Sequence, residues 1–127
     1  IEGSVDVPVL IVKHNQILVS IRPNDFSFVL EERLAEIFML FAREGIHINL
    51  IQSSAVNLSL SVDRSRRLPA LVDKLREEGF RVVYNDDMEL LTIRGYTDQL
   101  YEKYGEAEDV YLLQKTRKIV RLVRKKA

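Results

Sequence analysis

The sequence predicts an α+β fold in which a complete strand–helix–strand–strand–helix–strand unit is inserted into a second, abbreviated unit. Three observations carry that expectation. Several short runs alternate apolar and polar residues with period two, as half-buried strands do. Two stretches repeat apolar residues at i, i+3, i+4, i+7, the stripe of an amphipathic helix. Each stripe is followed by a glycine and a new strand: Arg43-Glu44-Gly45-Ile46-His47-Ile48 resembles Glu77-Glu78-Gly79-Phe80-Arg81-Val82 at an offset of 34. Two strands lie between these copies, so the period is not that of a helical solenoid. The order is the split βαβ, or ferredoxin-like, arrangement.

The elements follow in order. Residues 7–13 (VPVLIVK) read as an apolar strand, and 16–22 (QILVSIR) as an alternating one. Pro23-Asn24-Asp25 is turn chemistry. Leu34, Ile37, Phe38 and Phe41 form the first helix stripe, and Gly45 suits a left-handed C-terminal cap. Residues 46–52 read as a strand, Ser53-Ser54 as a turn, and 56–63 (VNLSLSVD) as the cleanest alternating strand in the chain. Ser65 is placed to cap a second helix, with Pro69 in its first turn and Leu68, Leu71, Val72 and Leu75 as its stripe. Beyond Gly79 come a strand over 80–84, a turn at Asn85-Asp86-Asp87 and a strand over 88–94. A short helix over 97–104 and two strands around Thr116-Arg117 complete the chain. The complete unit is thus expected over residues 16–84, and the abbreviated one over 5–14 plus 88–127.

Composition narrows function. Of 127 residues, 46% are hydrophobic and 30% charged, and 19 Lys+Arg balance 19 Asp+Glu to a net charge of zero. That balance removes the bulk electrostatic argument for nucleic acid or a membrane surface. The basic residues of the last stretch, Lys115 to Lys126, have one neighbouring aromatic, Tyr111, and read as a guarded edge strand. No apolar run reaches the roughly 18–20 residues of a membrane-spanning helix. Without cysteine there is no disulfide, thiolate metal site or Cys nucleophile, and a cytoplasmic setting is expected. The five glycines are isolated, so no phosphate-cradling motif can be written. Asp86, Asp87 and Glu89 lack the spacing of a cation loop, and no metal site is expected. Beginning at Ile1 rather than Met, the chain is expected to be part of a longer protein.

The segment Leu34-Ala35-Glu36-Ile37-Phe38, Ala42-Arg43-Glu44-Gly45-Ile46-His47-Ile48-Asn49-Leu50-Ile51, Ser53-Ser54 and Val56 to Asp63 resembles the first ACT domain of aspartokinases. The close match covers residues 26–63. An ACT unit inserted in a second, ACT-like unit is also the plan of that family's carboxy-terminal regulatory half. The resemblance implies an allosteric, amino-acid-sensing module in the aspartate-family (lysine, threonine, methionine) biosynthetic pathway. Phosphoryl transfer from ATP to L-aspartate, with Mg²⁺, would belong to a separate kinase domain, so this chain is expected to be non-catalytic and without cofactor.

Carried over residue by residue, effector binding falls on Phe28, Val29, Leu30 and Glu31 before and at the first helix, and on Ile48, Asn49, Ser53 and Ser54. A lysine or threonine effector needs acceptors for its ammonium and donors for its carboxylate. Asn49 supplies the first, and the N–H groups opening the first helix the second. The expected partners are a second copy, joined through ACT sheet edges, and the kinase domain. Against this reading stand plainer roles. Glu31-Glu32 complement a helix dipole, Ser53-Ser54 form turns, and Asn49 is an ordinary strand residue. Leu30-Glu31-Glu32-Arg33 also lacks the glycine usual in the family's ligand loop. These favour the alternative, a ferredoxin-like oligomerisation or interaction domain that binds no small ligand.

Overall fold

A computed structural model describes residues 7–25 and 31–126. Its elements are β1 (Val9–Pro23), α1 (Glu31–Arg43), β2 (Ile48–Ser53), β3 (Leu58–Asp63), α2 (Leu68–Glu77), β4 (Phe80–Arg94), α3 (Asp98–Leu100) with a π-helical turn over Tyr101–Gly105, β5 (Val110–Lys115) and β6 (Ile119–Lys125). This is the α+β, ferredoxin-like order read from the sequence. Two compact units result. One spans residues 15–87, and the other takes 7–14 and 88–126 of the described residues.

In the 15–87 unit the strands lie in the order β2-β3-β1-β4. Ile17, Val19 and Ile21 of β1 and Leu58, Leu60 and Val62 of β3 point to one face by strand alternation. There they are buried with Ile37 and Phe41 of α1 and Leu68, Leu71, Val72 and Leu75 of α2. α1 ends in a Schellman motif: Ile46 N–H donates to Phe41 O at 3.0 Å and Gly45 N–H to Ala42 O at 3.1 Å, with Gly45 at φ 67°. α2 starts later than Ser65 suggests. Its N-cap position is Arg67, and the Ser65 Oγ accepts from the Arg67 N–H at 3.1 Å, forming a turn ahead of the helix. Pro69 lies in the first turn, where a missing N–H costs nothing.

In the other unit the order is β1-β4-β6-β5. Leu91, Ile93, Val120 and Leu122 are buried beneath Leu100, Tyr101 and Tyr104 of the helical segment. The Thr97 Oγ1 caps α3 by accepting from the Leu100 N–H at 3.2 Å. A Cβ at Gly105 would lie 3.1 Å from the Tyr101 ring, so the ring packs closely over the glycine and a larger residue would have to displace it by a few tenths of an ångström. Glu89, almost fully buried, sits between His14 Nδ1 at 2.8 Å and Arg124 Nε at 3.3 Å.

Two expectations are corrected. The separate strands over 7–13 and 16–22 are one strand, β1, and the turn at Asn85-Asp86-Asp87 lies inside the continuous β4. Asn15 and Asp87 carry the only left-handed φ values of non-glycine residues in the described chain, 55° and 58°. Asn and Asp tolerate that conformation best among such residues. Each strand therefore steps through one left-handed residue and resumes, where composition alone reads a turn.

The same devices recur in both units. Asn15 precedes Gln16 and Ile17 as Asp87 precedes Met88 and Glu89. β2 pairs with β3 through Ile48↔Val62 and Leu50↔Ser61, with a register shift between. β5 pairs with β6 through Val110↔Arg124 and Leu112↔Val123, with the same shift. Ser61 also faces Leu18, as Val123 faces Leu90. Asn49 thus corresponds to Tyr111, Gln16 to Met88, Ser61 to Val123 and Asp63 to Lys125.

Candidate functional site

The residues singled out by sequence fall in three places. Phe28, Val29 and Leu30 lie outside the described residues. Glu31 opens α1 and is exposed, where with Glu32 it complements the helix dipole. Ile48 and Asn49 begin β2, and Ser53 ends it, about 13 Å away at 3.3 Å per residue. The Ser54 Oγ accepts from the Asn57 N–H at 3.1 Å, and the Ser54 N–H donates to Asn57 O at 2.8 Å. Ser54 thereby closes the β2–β3 hairpin. Ile48 packs against the core.

Asn49 has the more developed setting. It is the extra residue at the irregularity between Ile48 and Leu50, and such a bulge re-aims a side chain. Its Nδ2 donates to Gln16 Oε1 at 2.9 Å and to Asp63 Oδ1 at 2.8 Å. Gln16 Nε2 also donates to Asp63 Oδ1, at 2.9 Å, and the Ser61 Oγ donates to Gln16 Oε1 at 2.8 Å. Gln16 and Ser61 are fully buried.

Chemistry orients this cluster. An ionised carboxylate only accepts, so Asp63 draws the amide nitrogens of both Gln16 and Asn49. The Gln16 oxygen is then turned to receive Ser61 and Asn49. Asn49 brings its amide nitrogen to both Asp63 and Gln16. Sequence reading found Asn49 but not the bonds to Gln16 and Asp63, nor Ser61 behind Gln16, since Gln16 reads only as the polar opening of a strand. Ser61 and Asp63 alternate with apolar residues as solvated positions would.

Further along the same face, the Ser20 Oγ donates to Asn57 Oδ1 at 3.0 Å, and Asn57 Nδ2 to the Ser59 Oγ at 3.1 Å. Among the described residues no cluster of three or more His, Asp or Glu is placed to hold a metal ion, and no helix is long and apolar enough to cross a membrane.

No family model matches the chain, and no curated protein matches it. Solved structures do. A Porphyromonas gingivalis W83 chain assigned as a C-terminal regulatory domain of aspartate kinase superposes with a TM-score of 0.75 at 18% identity, over 94% of this chain and 86% of that one. Aspartokinase III of Escherichia coli, in complex with lysine and aspartate in its T-state, gives 0.69 at 20% identity over 91% of this chain. The regulatory subunit of aspartate kinase from Thermus thermophilus gives 0.65 at 10% identity, over 91% of this chain and 86% of that one. The match spans 29% of the Escherichia coli enzyme. The chain has the fold of the ACT-type regulatory domains of aspartate kinases.

Proposed function

We propose that this chain is the C-terminal regulatory, amino-acid-sensing region of an aspartokinase. A kinase domain elsewhere in the protein would phosphorylate L-aspartate with ATP and Mg²⁺, while this region would bind lysine or threonine and bias the kinase toward an inactive state. Likeness of fold to aspartate kinase regulatory domains supports the parentage. The observation that carries sensing is Asn49, held in a strand irregularity with its amide nitrogen committed to Gln16 and Asp63. In this reading Asn49 Oδ1 accepts from the effector ammonium, and the N-terminus of α1 faces the carboxylate. No step is catalytic here, and the protein would act in the cytoplasm.

Titration calorimetry with lysine and with threonine tests the reading. A hydrogen bond to a charged group contributes about 1.5–3 kcal/mol, so Asn49→Ala is expected to weaken binding at least about tenfold. The variant also loses its bonds to Gln16 and Asp63, so affinities are compared at a temperature where circular dichroism shows both proteins folded. Heat from neither amino acid at millimolar concentration would remove the sensing role.

Homodimerisation through sheet edges belongs to the same proposal. Residues 9–14 form the end strand of their unit, and Val9, Leu10, Ile11 and Val12 are exposed there in succession. Four exposed apolar residues on an end strand invite pairing with another strand. Wild-type protein is expected to sediment as a dimer at micromolar concentration. Ile11→Lys should raise its dissociation constant at least about tenfold. A monomer throughout that range would contradict this part.

The second reading, an interaction domain that takes no small ligand, is favoured by that same exposed strand and by the glycine-free 30–33 stretch. It predicts a dimer and no calorimetric response.

A further inference from the structure

The cations at the tip of the β5–β6 hairpin do not guard a sheet edge. From sequence the run from Lys115 to Lys126 reads as a guarded edge strand, but the end strand of the unit is β5, whose only cation is Lys115. The other basic residues of the run follow in the turn and on β6, which lies between β4 and β5. Residues 7–14 and 88–126 hold ten Lys+Arg against six Asp+Glu, an excess that the neutral charge of the whole chain conceals.

Three of these cations meet at one corner. Arg117 and Lys118 form the tip between Thr116 and Ile119, and Arg94 ends β4 directly opposite Ile119. All three are exposed. None has a side-chain hydrogen bond or an ion pair with a described residue. Like charges gathered without a counter-charge repel one another.

The fold nevertheless fixes this corner, through contacts that spare all three charges. The Gly95 N–H donates to Lys118 O at 2.7 Å, and the Thr116 N–H to Ile119 O at 2.8 Å. The Thr116 Oγ1 accepts from the Ile119 N–H at 3.1 Å, in the place a turn carbonyl ordinarily takes. The Thr116 carbonyl instead receives the Tyr96 phenol at 2.8 Å. The Lys115 ammonium lies 3.9 Å from the Tyr101 ring centroid and 5.7 Å from that of Tyr96. Tyr96 and Lys115 thus tie the tip to the β4–α3 connection and to the π-helical turn.

We infer that Arg94, Arg117 and Lys118 form a preset cationic docking surface for an acidic peptide segment of a partner protein, with Tyr96 as its positioning residue. Guanidinium groups take carboxylates in paired hydrogen bonds. A tip already fixed loses little freedom on binding. Small ligands are held in concave pockets, whereas a hairpin tip suits a segment laid across it. Single-stranded nucleic acid stacks on open aromatic faces, but Tyr96 is engaged by its hydroxyl, by Lys115 and by Tyr101, its ring centroid 6.2 Å away. The exposed Tyr111 lies at the far end of β5. This surface is separate from Asn49 and its partners, which belong to the other unit.

An oligoglutamate peptide titrated into the full chain, with backbone amide shifts followed by NMR, tests the inference. Shifts should saturate at Arg94, Gly95 and residues 116–119. Affinity should fall at least about fivefold between roughly 0.05 and 0.5 M salt, as exposed charges are screened. Arg94→Ala/Arg117→Ala/Lys118→Ala should weaken binding at least about tenfold, the sum of three modest ion pairs. Tyr96→Phe keeps every charge and should weaken it about threefold by loosening the tip. Arg66→Ala/Lys74→Ala/Arg81→Ala, at three exposed cations of the other unit, should leave affinity within about twofold.

Absence of saturable shifts would overturn the inference. Equal losses from the two triple variants would do the same, because net charge alone would then account for binding. An unchanged affinity in folded Tyr96→Phe would remove the preset tip and the inference with it. Should Tyr96→Phe unfold, the two triple variants, made at exposed side chains, still decide. Tighter binding of an oligouridylate of equal charge would assign the surface to nucleic acid and overturn the inference. Loss of self-association in the Arg94/Arg117/Lys118 variant, read by sedimentation, would make a second copy the occupant and overturn it too.

Discussion

Replacing Phe41 with alanine is expected to lower the unfolding free energy of the 15–87 unit by about 3–5 kcal/mol, as truncation of a large buried aromatic does. The ring is fully buried. It lies on the inner stripe of α1, in one cluster with Ile37 beside it, Leu58, Leu60 and Val62 of β3 and Leu71 and Leu75 of α2. Removing it leaves a cavity bounded on several sides, which helices tied to strands by short connections cannot collapse to fill. The Phe41 carbonyl also receives the Ile46 N–H that closes the helix, so relaxation of the backbone toward the void would disturb that cap. Urea denaturation followed by far-ultraviolet circular dichroism measures the loss. Met39, on the same helix but exposed, is the control, and Met39→Ala should cost under about 1 kcal/mol. A Phe41→Ala loss no larger than the control would mean that α1 is not part of this core.

Phe41 also illustrates what was legible from sequence. A period of 3.6 with a glycine behind it requires only neighbours in the chain, and both helix stripes and the left-handed Gly45 and Gly79 follow from it. The β5–β6 hairpin was legible for the same reason, its turn residues separating two apolar runs. β1 and β4 were misread because Asn15 and Asp87 belong to the residue types that make turns and also to those that tolerate a single left-handed step. Composition does not separate the two cases. At the site, Asn49 stood out as a polar strand residue within a family-like segment. Its partners did not, because they lie 33 and 14 positions away and meet it only through strand order and register. The displaced register at Ile48/Leu50 carries no glycine or other signal in the sequence. Nothing local marks Asn49 as turned toward Gln16.

The second large effect is expected from Asp63→Ala, a loss of about 2–4 kcal/mol from a residue at the end of a strand. Its size follows from what the carboxylate accepts rather than from what the side chain buries. Asp63 Oδ1 receives Gln16 Nε2 at 2.9 Å and Asn49 Nδ2 at 2.8 Å. Hydrogen bonds to a charged group contribute about 1.5–3 kcal/mol each, and a buried donor deprived of its acceptor bears a desolvation penalty. Gln16 is fully buried, so water offers poor replacement there. Asp63→Asn keeps an oxygen where both donors point and should cost under about 1.5 kcal/mol. The decisive comparison is a double-mutant cycle with Gln16→Met. Once Gln16 carries no amide, Asp63→Ala removes one hydrogen bond fewer and no longer strips the buried Gln16 amide of its acceptor. The two changes together should therefore cost at least about 1 kcal/mol less than their sum, as residues sharing one network do. Chemical denaturation of the four proteins gives the coupling directly. Additive losses would mean that Gln16 and Asp63 act independently, and that the hydrogen bond between them contributes nothing to holding β1 against β3.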